Sequence, residues 1–122
     1  MDNKIYKFFD LRAWQEGHKL VVMVYDVTKG FPKEEIFGLT NQIRKAGVSI
    51  TSNIAEGFGR DTMKDKTHFY TMASGSLNEV YNQLVLARDI SYIKTDYWNK
   101  LEEQIIITGK ILNGLIRKSK TL

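Results

Sequence analysis

Residues 42–60 read QIRKAGVSITSNIAEGFGR, and they carry two stripes at helical spacing. Leu39, Ile43, Ala46, Ile50 and Ile54 recur at intervals of three or four, which places them on one face of an α-helix. Beside them runs a stripe of Gln42, Ala46, Ser49, Asn53 and Glu56. A solvated face is usually rich in Lys and Glu. This one is small or amide-bearing, which suits close helix contact with hydrogen bonds between helices.

The rest of the chain allows more helices of the same kind. It has 122 residues, a single Pro and no Cys, so long helices are permitted and disulfides and thiolate metal sites are excluded. The length suits one domain, 1–122, with an ordered core of about 8–118. No apolar run approaches the ~20 residues of a membrane span. The opening MDNKIYKFFDLR has no signal-peptide core, so a cytoplasmic protein without membrane contact is expected.

In chain order, Asp10 is a candidate N-cap for a first helix over 11–29, with Phe9 and Trp14 at the staple positions. That helix has a main stripe of Leu11, Trp14, His18, Val21, Val22, Tyr25 and Thr28, and a second of Ala13, Gly17, Leu20, Val24 and Val27. Two apolar faces predict burial in the bundle on one side and against another subunit on the other. Gly30-Phe31-Pro32 ends the helix, and Glu34 and Glu35 suit the N-terminus of the next helical segment. Gly38 marks a short turn before the second helix, which runs to about Phe58. Gly57 and Gly59 offer a C-cap and turn. Thr62 with Asp65 resembles a capping box for a third helix over 63–92. Gly75 in its middle suggests close packing. Thr95 or Asp96 caps a fourth helix over 97–118, where Trp98, Leu101, Ile105, Thr108, Leu112, Leu115 and Ile116 form the buried side. Four helices with short connections predict an all-α, up-down-up-down antiparallel four-helix bundle.

The turn near residue 60 sets a register between the second and third helices. It places Ala46 opposite Ser76, Ser49 opposite Ala73, and Gln42 opposite Glu79 with Arg44 in reach. Glu56 falls opposite Lys66 and four residues before Arg60. Gln42, Arg44, Ser49, Asn53, Glu56, Ser76 and Glu79 therefore form a candidate polar network that fixes register. The alternative is a ligand or nucleic-acid site within the bundle.

The net charge is +4, with an excess of three in residues 93–122 and of one in residues 1–92. Arg60, Lys64 and Lys66 flank a glycine-bearing turn at a helix start, where an anion can be received. With Lys110, Arg117 and Lys118 they are the candidate nucleic-acid contacts. Catalytic and metal chemistry find little support, and no cofactor is expected. Asp65 and His68 share a face, but the carboxylate set of a dinuclear bundle is missing. Arg12 and His18 have the spacing of the Arg-x(4–6)-His signature of HEPN ribonucleases. That spacing puts the two on different helix faces, so the nuclease reading stays an alternative.

Several elements together carry a resemblance: Phe9-Asp10-Leu11 with Trp14-Gln15, Phe31-Pro32 with Glu35, and Gly38-Leu39-Thr40 with Gln42-Ile43-Arg44. It continues through Asn53-Ile54-Ala55-Glu56-Gly57 and Gly75-Ser76-Leu77 with Glu79. The chain resembles the four-helix bundle proteins encoded in intervening sequences of bacterial 23S rRNA genes, over about residues 8–117. Gly47 stands where that family has Ala. The resemblance implies a homo-oligomeric ring, a pentamer in relatives. It also implies kinship with the accessory variability determinant proteins of diversity-generating retroelements, which bind nucleic acid and partner a reverse transcriptase. The expected function is therefore non-enzymatic binding of structured RNA, or other nucleic acid, by a basic surface repeated around a ring. The alternative is a protein-interaction module without direct nucleic-acid contact.

Overall fold

The computed structural model describes residues 4–121. Among them four α-helices succeed one another: α1 Arg12–Thr28, α2 Leu39–Phe58, α3 Met63–Asp89 and α4 Thr95–Lys120. No strand occurs among the described residues. Short 3-10 turns at Phe8–Asp10 and Lys33–Glu35 precede α1 and α2. Each helix packs on its neighbours in an antiparallel four-helix bundle, α2 against α3 most extensively. The starts of α1 and α3 and the ends of α2 and α4 meet at one end. The Phe31 and Tyr92 rings, 5.2 Å apart, join the loops at the other.

The core is filled by Leu20, Val24, Ile43, Ile50, Ile54, Val80, Leu84, Leu101 and Leu112, all fully buried. On α1 the buried residues are Ala13, Gly17, Leu20 and Val24 from the second stripe and Val21 and Thr28 from the main one, so the inward face draws on both. Its small residues let α1 approach α2 closely: a Cβ on Gly17 would stand 3.4 Å from Ile50 Cγ2 and Thr51 Cγ2. His18, Val22 and Tyr25, from the supposed main stripe, are not in the core. Gln104 Nε2 donates to the Glu16 backbone oxygen (2.9 Å) and carboxylate (3.2 Å), tying α4 to α1. The Gln104 amide is also the main reason the Glu16 carboxyl lies below its usual pKa.

Several expected caps differ. Asp10 does not cap α1. Asp10 ends the 3-10 turn one residue before that position, Leu11 takes it without a side-chain bond, and Phe8 instead of Phe9 lies edge-on to Trp14 at 5.5 Å. Thr95 and Asp96 are the first residues of α4 and not its cap, which is Lys94. Thr62 does cap α3, accepting from the Asp65 backbone N–H at 3.1 Å. Gly75 has no atom within 4 Å of an added Cβ, so close packing does not explain it. Gly47 is buried, and an added Cβ would make ordinary contacts with Val21 and Val24 at 3.7 and 4.0 Å.

The α2–α3 turn holds no left-handed residue: Gly59 has φ −79°. The left-handed position is Ser91, φ 68°, just past α3. There the Tyr92 N–H donates to the Ala87 oxygen (2.9 Å) and the Ser91 N–H to the Arg88 oxygen (3.0 Å), the paired bonds of a Schellman motif. Left-handed backbone costs a non-glycine residue roughly 1–2 kcal/mol. Ser91→Gly should therefore stabilise the protein by about 1 kcal/mol, read as a higher urea midpoint with unchanged slope. A lower midpoint would show that the Ser side chain contributes to the turn.

Candidate nucleic-acid interface

The bundle is electrically polarised along its length. The end holding the α2–α3 turn carries Lys7, Arg12, Arg60, Lys64, Lys66, Arg117, Lys118 and Lys120 against Asp10, Glu56, Asp61 and Asp65. The far end carries Lys29, Lys33, Arg88 and Lys94 against Asp26, Glu34, Glu35, Asp89 and Asp96.

The six proposed contact residues do not act alike. Lys66 reaches back to the end of α2, its ammonium donating to the Phe58 oxygen (2.6 Å) and the Gly57 oxygen (3.3 Å). The Gly57 oxygen also accepts the Arg60 N–H at 3.2 Å, so Lys66 adds a donor to the last carbonyls of α2 and serves as a C-terminal cap as well as a charge. Arg60 pairs with Glu56 at 3.7 Å and lies over the Phe69 ring at 4.5 Å. Both Arg60 and Glu56 are well exposed, so the pair contributes little. Lys64 and Lys118 make no ion pair among the described residues. Lys110 lies ten residues up α4 from Lys120, about 15 Å by helical rise. Arg117 shares the basic end but lines neither pocket there. Lys120, not among the six, lines a groove with Lys64, Met63, Thr67 and Ser119.

That groove adjoins a pocket of about 190 Å³, and Met63 and Ser119 line both. Leu11, Phe58, Met63, Tyr70 and Leu115 give the pocket apolar walls; Lys66, Lys118 and Ser119 also line it. Tyr70 is 3% exposed, and burial alone pushes its phenol up in pKa. Ser119 is buried, its hydroxyl 2.7 Å from Thr67 Oγ1 and 2.7 Å from the Ile116 backbone oxygen. Thr67 Oγ1 in turn lies 2.8 Å from the Met63 oxygen. Two hydroxyl protons thus serve three contacts, so this chain can run in either direction.

The candidate polar network is divided into separate pieces. Ser49 and Ser76 hydroxyls meet at 2.8 Å, and Asn53 Nδ2 donates to the Ser49 oxygen (2.8 Å) and Oγ (3.1 Å). Ser76 therefore faces Ser49 instead of Ala46, about one turn from the expected register. Gln42 and Glu79 line one groove with Ser49. Glu79 accepts from Gln83 Nε2 at 3.3 Å, and Gln83 is a buried partner that periodicity gave no reason to include. Arg44 does not join this group. It turns to α1, where its Nε donates to Thr28 Oγ1 at 2.8 Å and its guanidinium lies 4.8 Å over the Tyr25 ring. Glu56 is also apart, paired with Arg60 and not with Lys66.

His18 stacks on Trp14, centroids 4.6 Å apart and planes within 12°. Among the described residues no group of three or more His, Cys, Asp or Glu could hold a metal, and no helix is long and apolar enough to cross a membrane.

The profile of 23S rRNA-intervening sequence proteins matches residues 9–114. The chain belongs to that family. Among solved structures, a protein of unknown function from the S23 ribosomal protein family of Bacteroides thetaiotaomicron VPI-5482 superposes with a TM-score of 0.78. The two are 21% identical over 85% of this chain and 97% of that one, a likeness of fold. No curated protein matches. In this chain the run Asn53-Ile54-Ala55-Glu56-Gly57 has a structural content: Asn53 ties the serine pair, Ile54 fills the core, and Gly57 admits the Tyr70 ring.

Proposed function

We propose that this intervening-sequence protein is a non-enzymatic bundle that binds structured RNA through its basic end. The observation carrying this reading is the gathering of Lys64, Lys66, Lys118 and Lys120 at one end of a chain whose other end is slightly acidic. The mechanism is phosphate neutralisation with counterion release. A homo-oligomeric ring, pentameric as the resemblance implies, repeats each weak contact and raises avidity. The exposed Val22, Tyr25 and Ile106 supply apolar surface for such assembly. Kinship with the accessory variability determinant proteins belongs to the same reading.

Fluorescence anisotropy with a labelled structured RNA tests it. Four phosphate contacts predict roughly hundredfold weaker binding on going from about 50 to 200 mM salt. Lys64→Ala with Lys118→Ala should flatten the log–log salt slope by nearly two. Binding absent at low salt, or indifferent to salt, would end the reading.

One observation favours a protein partner instead. Phe37 is 94% exposed beside Ile36 at 52%, in the loop before α2 and far from the basic end. An exposed aromatic of this kind anchors protein interfaces. Phe37→Ala leaves RNA affinity unchanged on the first reading and abolishes partner capture on the second.

A further inference from the structure

We infer that the pocket at the basic end receives a single unpaired nucleobase of the bound RNA, while the adjoining lysines hold its flanking phosphates. The inference rests on the RNA reading above and adds which feature of an RNA is selected. Three observations carry it. The pocket's volume, about 190 Å³, is that of about six waters, and the aromatic residues lining it are the half-buried Phe58, whose ring can stack, and the almost wholly buried Tyr70. Unstacked bases are recognised by stacking on such rings.

The second observation is Tyr70. It is 97% buried, yet its hydroxyl has no hydrogen-bond partner among the described residues. Nor is that oxygen among the fully enclosed unpaired polar atoms, which are Thr40 Oγ1 and Gln83 Oε1. Buried phenols normally find a partner. Tyr70 lines the pocket, and a phenol unpaired within the protein there is suited to the polar edge of a base. Ser119, with its reversible hydroxyl chain, can donate or accept beside it.

The third observation is the continuity of pocket and groove through Met63 and Ser119. Lys118 stands on the pocket and Lys64 and Lys120 on the groove, so an apolar slot and a cationic track adjoin. A nucleotide has that same division: a flat, weakly polar base joined to an anionic backbone. A fully paired helix offers the track its phosphates but gives the slot nothing to bind.

The test compares two labelled RNA hairpins, one fully paired and one carrying a single-nucleotide bulge, by anisotropy at low salt with the full chain. The bulged hairpin should bind about tenfold more tightly. Tyr70→Phe removes an oxygen with no internal partner, so it should fold normally and reduce that preference. Leu115→Trp, which fills the slot, should abolish it while leaving the paired hairpin bound. Equal, salt-sensitive binding of both hairpins by the wild-type protein would overturn the pocket and spare the RNA reading. A preference that survives both substitutions would also overturn it. Failure of both RNAs to bind at low salt would remove both proposals together.

Discussion

Gly57→Ala should destabilise the bundle by about 3 kcal/mol, lowering the melting temperature by roughly 10 °C. A Cβ there would stand 2.7 Å from Tyr70 Cε1, 2.9 Å from Tyr70 Cδ1 and 3.1 Å from Phe69 Cβ. Real Cβ atoms do not tolerate the first two distances, so the α2–α3 crossing must open or the Tyr70 ring must move into its pocket. Helix propensity alone acts the other way and would reward Ala by about 1 kcal/mol. Gly75, with open space around it, isolates that gain: Gly75→Ala should stabilise by about that amount. Opposite signs at two helical glycines, read from urea midpoints, check the packing argument. A Gly57→Ala protein as stable as the wild type would refute the close approach. A Tyr70→Leu background should relieve part of the loss, since contacting residues couple in a double-mutant cycle.

The helices were legible because their apolar residues repeat at the helical period. Ile43, Ile50 and Ile54 are all fully buried, as that repeat requires. Register was harder. A stripe with residues every three or four positions slides nearly onto itself when shifted by one turn. Ala46 and Ser49 are thus both plausible partners for Ser76, and only side-chain geometry selects Ser49. The inward face of α1 was ambiguous for a related reason. Both stripes are apolar and burial draws on each: Ala13, Gly17, Leu20 and Val24 from one, where Gly17 permits a short distance to α2, and Val21 and Thr28 from the other. Arg44 was misplaced because its neighbours Ile43 and Ala46 fix the helix face but not which way a long side chain leans.

The basic end was visible as charges near one turn and at the C-terminal end, but their division of labour was not. Lys66 is partly spent on the last carbonyls of α2, Phe58 and Gly57, a demand set by where the helix stops. The pocket was invisible in the sequence. Leu11, Phe58, Tyr70 and Leu115 come from four segments; Leu11 and Leu115 read as members of two separate helix stripes, and Phe58 only as a helix end. The one available signal was the tyrosine itself, a polar handle at a helix position beside the buried Ala73 and Leu77.

The far end depends on one carboxylate in a similar way. Glu35→Ala should cost about 1–2 kcal/mol from lost capping and helix-dipole stabilisation, with the Tyr92 bond lost in addition. Gly38 stands at the N-cap of α2 without a side chain to offer, and Glu35 Oε1 accepts the Leu39 N–H at 3.2 Å in its place. The second oxygen accepts the Tyr92 hydroxyl at 2.9 Å, linking loops 57 residues apart. That bond is the main cause raising the Tyr92 pKa above its usual value. A phenol whose pKa is higher folded than unfolded stabilises the protein fully below the ordinary phenol pKa. The contribution disappears as pH rises through the folded value. Wild-type stability should therefore fall more steeply than that of Glu35→Ala above about pH 10, measured by urea unfolding at several alkaline pH values. Glu35→Gln keeps an acceptor for Leu39 but not the charge, so it should lie between the two. Parallel alkaline profiles for all three proteins would show that the carboxylate does not govern Tyr92.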